Sequence, residues 1–261
     1  MRGRARVKLV GGAKTSLKSL HQSGSAKIFL PRVHTDRPEV VFLNTAGGIT
    51  GGDHLSFSAE LETSAKAVLT TQTAERAYAS TGAAGKIDIS LTVGQGAYLE
   101  WLPQETILFE ASHTRRDTQI DLACDAGLLM VETVALGRQA MGEDPRTLIF
   151  HDRRLVRRAG RPVFLEPFTL GPANLDALET SATFGSARAI STIALIAQGA
   201  EDVAKTVRGL ELPDAVEMGC SGWDGKTIIR LLAPDMWPMR QALNLLLTQI
   251  RGRALPRVWQ I

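Results

Sequence analysis

The segment Leu43-Asn44-Thr45-Ala46-Gly47-Gly48-Ile49-Thr50-Gly51-Gly52-Asp53 sets two glycine pairs around two residues and follows them with a carboxylate. Gly47, Gly48, Gly51 and Gly52 open positive φ and close backbone approach, so the loop can press against a partner, an ion or an anion. It lacks the Gly-Lys-Ser/Thr ending of a phosphate loop and the glycine spacing of a dinucleotide site. A tight β-connection is the simpler account from the residues alone. Three further segments carry polar chemistry. Leu69 to Tyr78 brings Gln72, Glu75, Arg76 and Tyr78 into a threonine-rich run that favours a strand. In Glu100 to Phe109, Pro103 interrupts a strand-like run and is expected to expose Gln104 and Glu105 at the break. In Leu136-Gly137-Arg138-Gln139-Ala140-Met141-Gly142-Glu143, Glu143 can accept a bond from Arg138, and an internal ion pair explains it as well as a ligand site does. For each of the three, a solvated face or a turn fits equally.

Other chemistries are poorly supplied. His21, His34, His54, His113 and His151 are scattered, with no His-x-x-x-His and no Cys-x-x-Cys, so no tight metal site is made locally. Asp53 and His54 are adjacent and would point to opposite faces of a strand. Any metal contact must be assembled from distant segments, or be transient and carboxylate-rich. There is no Gly-x-Ser-x-Gly elbow. Met218-Gly219-Cys220-Ser221-Gly222 looks like a nucleophile turn but has no identified base. Arg153, Arg154, Arg157, Arg158 and Arg161 form a basic run that strand alternation would divide between two faces.

These segments must be positioned by strands. Period-two alternation puts Ile87, Ile89, Leu91 and Val93 on one face, and His54 to Leu61 repeats it. Arg116 to Leu122 follows more weakly, and Lys66 to Gln72, Leu128 to Leu136 and Thr147 to Arg158 also read as strands. Such spacing means a β-rich architecture, not βαβ units. Helices come late: a short one opening near Leu175, a polar one over Glu201 to Gly209, and the clearest over Met239 to Arg251, with Pro238 in its first turn and Gly252 closing it. Leu255 to Ile261 is expected to dock on the body, with Trp259 in the core. One domain over residues 1–261 is expected, with a small helical subdomain around 175–261.

With 261 residues, 44% hydrophobic, 22% charged and a net charge of +3, the chain has the composition of a folded protein. The positive surplus is too small to argue for nucleic acid without a clustered patch. No apolar run is long enough for a transmembrane helix, and no apolar block follows the basic start, so neither a membrane span nor a signal peptide is expected. Two cysteines, Cys124 and Cys220, fit a reducing cytoplasm.

Taken together, the motifs resemble the urease accessory protein UreD (UreH) family. The likeness rests on Asn44 to Asp53, Thr70 to Tyr78, Trp101 to Phe109, Leu136-Gly137-Arg138 with Met141-Gly142-Glu143, and Pro256-Arg257-Val258-Trp259, in that order. Thr15 to Pro31, with Gln22 and Lys27, resembles the family's opening. The resemblance implies a mainly β fold of stacked sheets with a helical-turn, solenoid-like course and a few helices toward the C-terminal end. It also implies a cytosolic chaperone, not an enzyme. Such a protein joins UreF and the GTPase UreG on apo-urease and helps insert nickel, which UreE supplies. No tightly bound cofactor, nucleic acid or membrane is implied, and nickel passes only transiently. On that view Asp53, Glu105 and Glu143 are candidate transient nickel contacts, supported by Arg138, Tyr78 and Gln72. Two positions depart from the family pattern: Arg76-Ala77-Tyr78-Ala79 replaces Lys-x-Tyr-Arg, and Asp144-Pro145 replaces Arg-Phe. The residues alone leave two alternatives, a β-rich carbohydrate-active enzyme using Asp53 with Glu105, and a nucleic-acid module.

Overall fold

The computed structural model describes every residue except His34, Asp36, Ser181 and Ile261, and only the backbone of Asp176 and Leu178. The expected docking of Ile261, and the place of His34 among the histidines, lie outside the described residues. Seventeen strands are present among the described residues: β1 (Arg2–Val10), β2 (Ser16–Gly24), β3 (Ala26–Phe29), β4 (Glu39–Asn44), β5 (His54–Leu61), β6 (Lys66–Thr71), β7 (Glu75–Ala77), β8 (Gly85–Val93), β9 (Tyr98–Leu102), β10 (Thr106–Leu108), β11 (His113–Leu122), β12 (Gly127–Leu136), β13 (Ile149–Arg158), β14 (Arg161–Leu170), β15 (Ala189–Ile196), β16 (Glu217–Trp223) and β17 (Lys226–Ala233). The α-helices among the described residues are α1 (Pro172–Leu175), α2 (Val203–Arg208) and α3 (Met236–Arg251).

The strands build two stacked sheets. One runs β14-β13-β11-β8-β5-β1-β2, and the other β16-β17-β15-β12-β9-β6-β4-β3. Within the first, β1, β5, β8, β11 and β13 are parallel, as are β4, β6, β9 and β12 in the second. The chain therefore coils, laying one strand in each sheet per turn. Antiparallel strands end the coil: β2 and β14 on the first sheet, β3 on the second, with β15, β17 and β16 extending the second beyond β12. This is the stacked, solenoid-like β architecture that the resemblance implied. No repeat of fixed period marks it in the sequence, because the connections between turns differ in length.

A third, narrow facet closes each turn. Ile49 bridges Ala77, β7 lies parallel to β10, and β10 lies parallel to the end of β12. Ile49, Ala77, Leu108 and Leu136 thus stack from turn to turn, all buried.

The alternation decides what lies between the sheets. In β8 residues 87, 89, 91 and 93 are buried and their neighbours exposed, as the period-two reading requires. In β12 all ten residues are buried, because the second sheet is covered on both sides. Its outer cover is the C-terminal part of the chain. Val207 of α2 and Met239, Leu243, Leu246 and Leu247 of α3 pack with Leu255 and Trp259 on Val68, Leu102, Leu129, Val131, Ile193, Ile229 and Leu231. Helix α3 starts where the Asp235 carboxylate accepts the Trp237 N–H at 2.6 Å, and Gly252, at φ 63°, closes it. Trp259 is buried, and its indole N–H donates to the Leu102 carbonyl at 3.0 Å.

Candidate functional site

Four of the motifs form the third facet. The glycine loop enters β5, the Glu75–Tyr78 stretch forms β7 and its exit, Glu105–Phe109 forms β10, and Leu136–Glu143 leaves β12. Each lies against the next. Ile49 N–H donates to the Arg76 carbonyl at 2.7 Å, and Tyr78 N–H donates to the Ile49 carbonyl at 2.8 Å. At Gly48 a Cβ would stand 2.2 Å from the Tyr78 ring and 2.6 Å from the Arg76 carbonyl, so a larger residue would push two coil turns apart. Gly51 is similarly confined by Ser80 and the Ala83 carbonyl, whereas Gly47 and Gly52 hold positive φ with open space around them. The loop is a close-packed corner.

The three candidate carboxylates sit on the first, third and fourth turns of this facet, in different environments. Asp53 is buried at the head of β5, and its oxygens accept the Thr50 N–H at 3.0 Å and the Met1 ammonium at 2.5 Å. Glu105 is half-buried, and its carboxylate has no protein partner among the described residues; its carbonyl accepts the Glu75 N–H at 2.9 Å. Glu143 folds back on its own loop, accepting the Arg138 N–H at 2.9 Å, Arg138 Nε at 2.7 Å and the Glu110 N–H at 3.0 Å. The Arg138 guanidinium bonded to Glu143, helped by the backbone donors, holds its carboxyl down at about 2. Arg138 also lies 4.6 Å over the Phe109 ring, whose far neighbour is Tyr78, edge-on at 5.2 Å. Tyr78 braces the glycine loop by pointing its hydroxyl at the Gly47 carbonyl, 3.5 Å away, and does not touch a candidate carboxylate. The Gln72 N–H donates to the Phe42 carbonyl, beside a small cavity lined also by Asn44, Gly47 and Glu75. No group of three or more His, Cys, Asp or Glu residues able to hold a metal ion occurs among the described residues.

One outcome differs from expectation. Gln104 is buried, not exposed at a break: Arg240 of α3 donates to its side chain, which in turn donates to the Val258 carbonyl at 3.1 Å. The break after β9 does exist, and the C-terminal helix and tail fill it. Cys124 and Cys220 are free thiols, and burial pushes the Cys220 thiol up, away from a reactive thiolate.

Two groups stand outside the candidate set drawn from the sequence. The first is Glu75. Burial pushes its carboxyl up to about 7, against bonds from Asn44 Nδ2 at 3.1 Å and 3.4 Å, and the nearby Asp53 charge adds to the rise. The same Asn44 amide donates to the Gly48 carbonyl at 2.9 Å, so Glu75 and the glycine loop share one donor group. The second is a chain of charges between the sheets. Arg116 binds Asp152 through Nε at 2.9 Å and through a terminal nitrogen at 2.6 Å, and faces Glu132 at 2.8 Å. The Trp101 indole donates to Glu132 at 2.8 Å; Arg154 bridges Asp152 at 2.8 Å to Glu166 at 2.7 Å. Glu166 opens into a cavity of about 460 Å³ lined also by Phe168, Phe184 and Arg230. The signal was present: Arg116 occupies the inward parity of β11 with Ile120 and Leu122, where an unpaired arginine cannot stay.

The UreD urease accessory protein family profile matches residues 1–260 of the chain. The chain belongs to the UreD family. It is 50% identical to the urease accessory protein UreD of Cereibacter sphaeroides, over 94% of this chain and 89% of that protein. It is 47% identical to the UreD of Jannaschia sp., over the whole of this chain and 96% of the relative, and 40% identical to UreD 2 of Methylorubrum populi, over 98% and 87%. UreD proteins are accessory factors of urease maturation and not catalysts, and this chain shares that role. Among the described residues no helix is long and apolar enough to cross a membrane.

Proposed function

We propose that this UreD-family protein is the cytoplasmic chaperone component that binds UreF and, with the GTPase UreG, docks on apo-urease for GTP-dependent insertion of nickel, with UreE as the upstream source. The observation that carries this reading is the stacking of four motif segments on one facet, which gathers Asp53, Glu75, Glu105 and Glu143 along successive coil turns. Nickel is cargo here, and a delivery route needs weak oxygen donors in sequence because a closed tight site would trap the ion. Glu105 offers a carboxylate free of protein partners among the described residues. Asp53 and Glu143 are already engaged by cationic groups that a divalent ion must displace, which keeps their hold weak. Arg138, Tyr78 and Gln72 keep the facet in shape around them. The carbohydrate-enzyme alternative loses support, since both Asp53 oxygens are committed within a buried corner.

The test is co-expression with urease, UreF, UreG and UreE. The double variant Asp53→Asn/Glu105→Gln should co-purify UreF at the unaltered level while urease nickel content falls several-fold. Full nickel loading with normal UreF recovery would overturn the carboxylate route. Loss of UreF recovery from the unaltered chain would overturn the docking role.

A further inference from the structure

The outward face of the first sheet is bare, and the parallel register lines up its charges. Arg2 stands opposite His54, His54 opposite Lys86, Lys86 opposite Arg115, and Arg115 opposite His151. Five basic side chains from five neighbouring strands therefore form one row, about 4.8 Å from strand to strand. Arg2, Lys86, Arg115 and His151 are exposed, and none of the four side chains has a hydrogen-bond or ion-pair partner among the described residues. The next row along the strands carries Arg4, Ser56, Asp88, Asp117 and Arg153. Its two acids are already taken: Asp88 by His54 at 2.5 Å and Asp117 by Arg153 at 3.2 Å. Over the middle of the row lies a shallow cavity of about 460 Å³, lined by His54, Lys86, Asp88, Arg115, Asp117 and Gln119.

We propose that this row is a docking site for an acidic protein segment, laid across the strands with its carboxylates on Lys86 and Arg115. The Lys86 and Arg115 charges repel at this spacing in the free protein and an incoming anion relieves them, which gives the surface its complementarity. The occupant is a protein segment because the acids Glu60, Asp88, Asp117 and Asp121 punctuate the same face. A continuous phosphate backbone or an anionic bilayer would meet them as repulsion, whereas a protein can alternate its charges to suit. The contact is polar and exposed, so it is steered by charge and weakened by salt.

The test needs neither urease nor nickel and therefore stands apart from the reading above. The full chain is titrated at low salt against a fluorescein-labelled alternating Glu-Ser dodecapeptide. A twelve-residue oligothymidylate and phosphatidylserine-containing phosphatidylcholine vesicles serve as competing probes. Lys86→Glu/Arg115→Glu should weaken peptide binding about tenfold or more, and Lys86→Gln/Arg115→Gln by less. Lys14→Glu/Lys205→Glu, an equal charge change at exposed positions off the row, should leave binding within about twofold. Equal losses in both reversed pairs, no loss in either, absence of peptide binding, or tighter binding of the oligonucleotide or vesicles would each overturn the proposal. Unchanged thermal unfolding of every variant certifies that the exposed substitutions left the fold intact.

Discussion

Two consecutive arginines of β11 point to opposite faces of one sheet. Arg116 lies between the sheets, bonded to Asp152 and Thr106 and facing Glu132. Arg115 stands in solvent with no partner among the described residues. The difference is one of dielectric. Inside, a guanidinium must be matched by carboxylates on every side, and those carboxylates come to depend on it. Outside, water solvates the same group, and its charge stays available for something that approaches. Position along the strand decides whether an arginine holds this fold together or is offered by it.

The interior arginine is the costlier of the two to remove. Arg116→Met leaves Asp152 and Glu132 short of their cation in a buried setting, and should cost about 3–5 kcal/mol of unfolding free energy, measured by urea denaturation. A loss under about 1 kcal/mol would mean that water reaches the chain of charges. The second test uses Glu75, whose carboxyl is pushed up to about 7. In the unfolded chain it ionises near 4.5, so between pH 4.5 and 7 only the folded state holds the proton and stability falls as pH rises. Glu75→Gln should flatten that fall and raise stability at pH 8 by about 1–3 kcal/mol, with little effect at pH 4.5. A third uses Glu143, held near 2 by Arg138. Its contribution is present above pH 4.5 and is lost as pH falls toward 2. Glu143→Gln should therefore cost about 1–2 kcal/mol at pH 7 and almost nothing at pH 2, followed by denaturant titration at both. The smallest effect belongs to the outer face. Arg115→Ala should change stability by no more than about 0.5 kcal/mol in the same denaturation assay.

Much of this architecture was legible in local pattern. The alternation of β5 and β8, the apolar run of β12, and the capping of α3 by Gly252 each follow from short-range physics. The third facet was not legible. β7 and β10 have three residues each, too short for a period to show, and their pairing joins segments far apart in sequence. The burial of Gln104 was hidden for the same reason, since the side chains over it come from Arg240 and the tail near Val258. The candidate residues were found by motif, but their surroundings were not. Nothing local to Glu143 indicates that the Glu110 amide will help hold it, and Glu75 looks solvent-facing until Asn44 is brought beside it. Family resemblance reached the role in urease maturation by recognising these corners together, before any contact among them could be derived.

The order in which the interior charges are synthesised has a consequence for how the protein is born. Arg116 leaves the ribosome with β11, Glu132 follows on β12, and Asp152 arrives only with β13. A nascent coil stopped at β12 would hold a guanidinium against an apolar wall with half of its counter-charge missing. The guanidinium is fully matched only when β13 has joined the sheet, so closing the sandwich around it waits on Asp152.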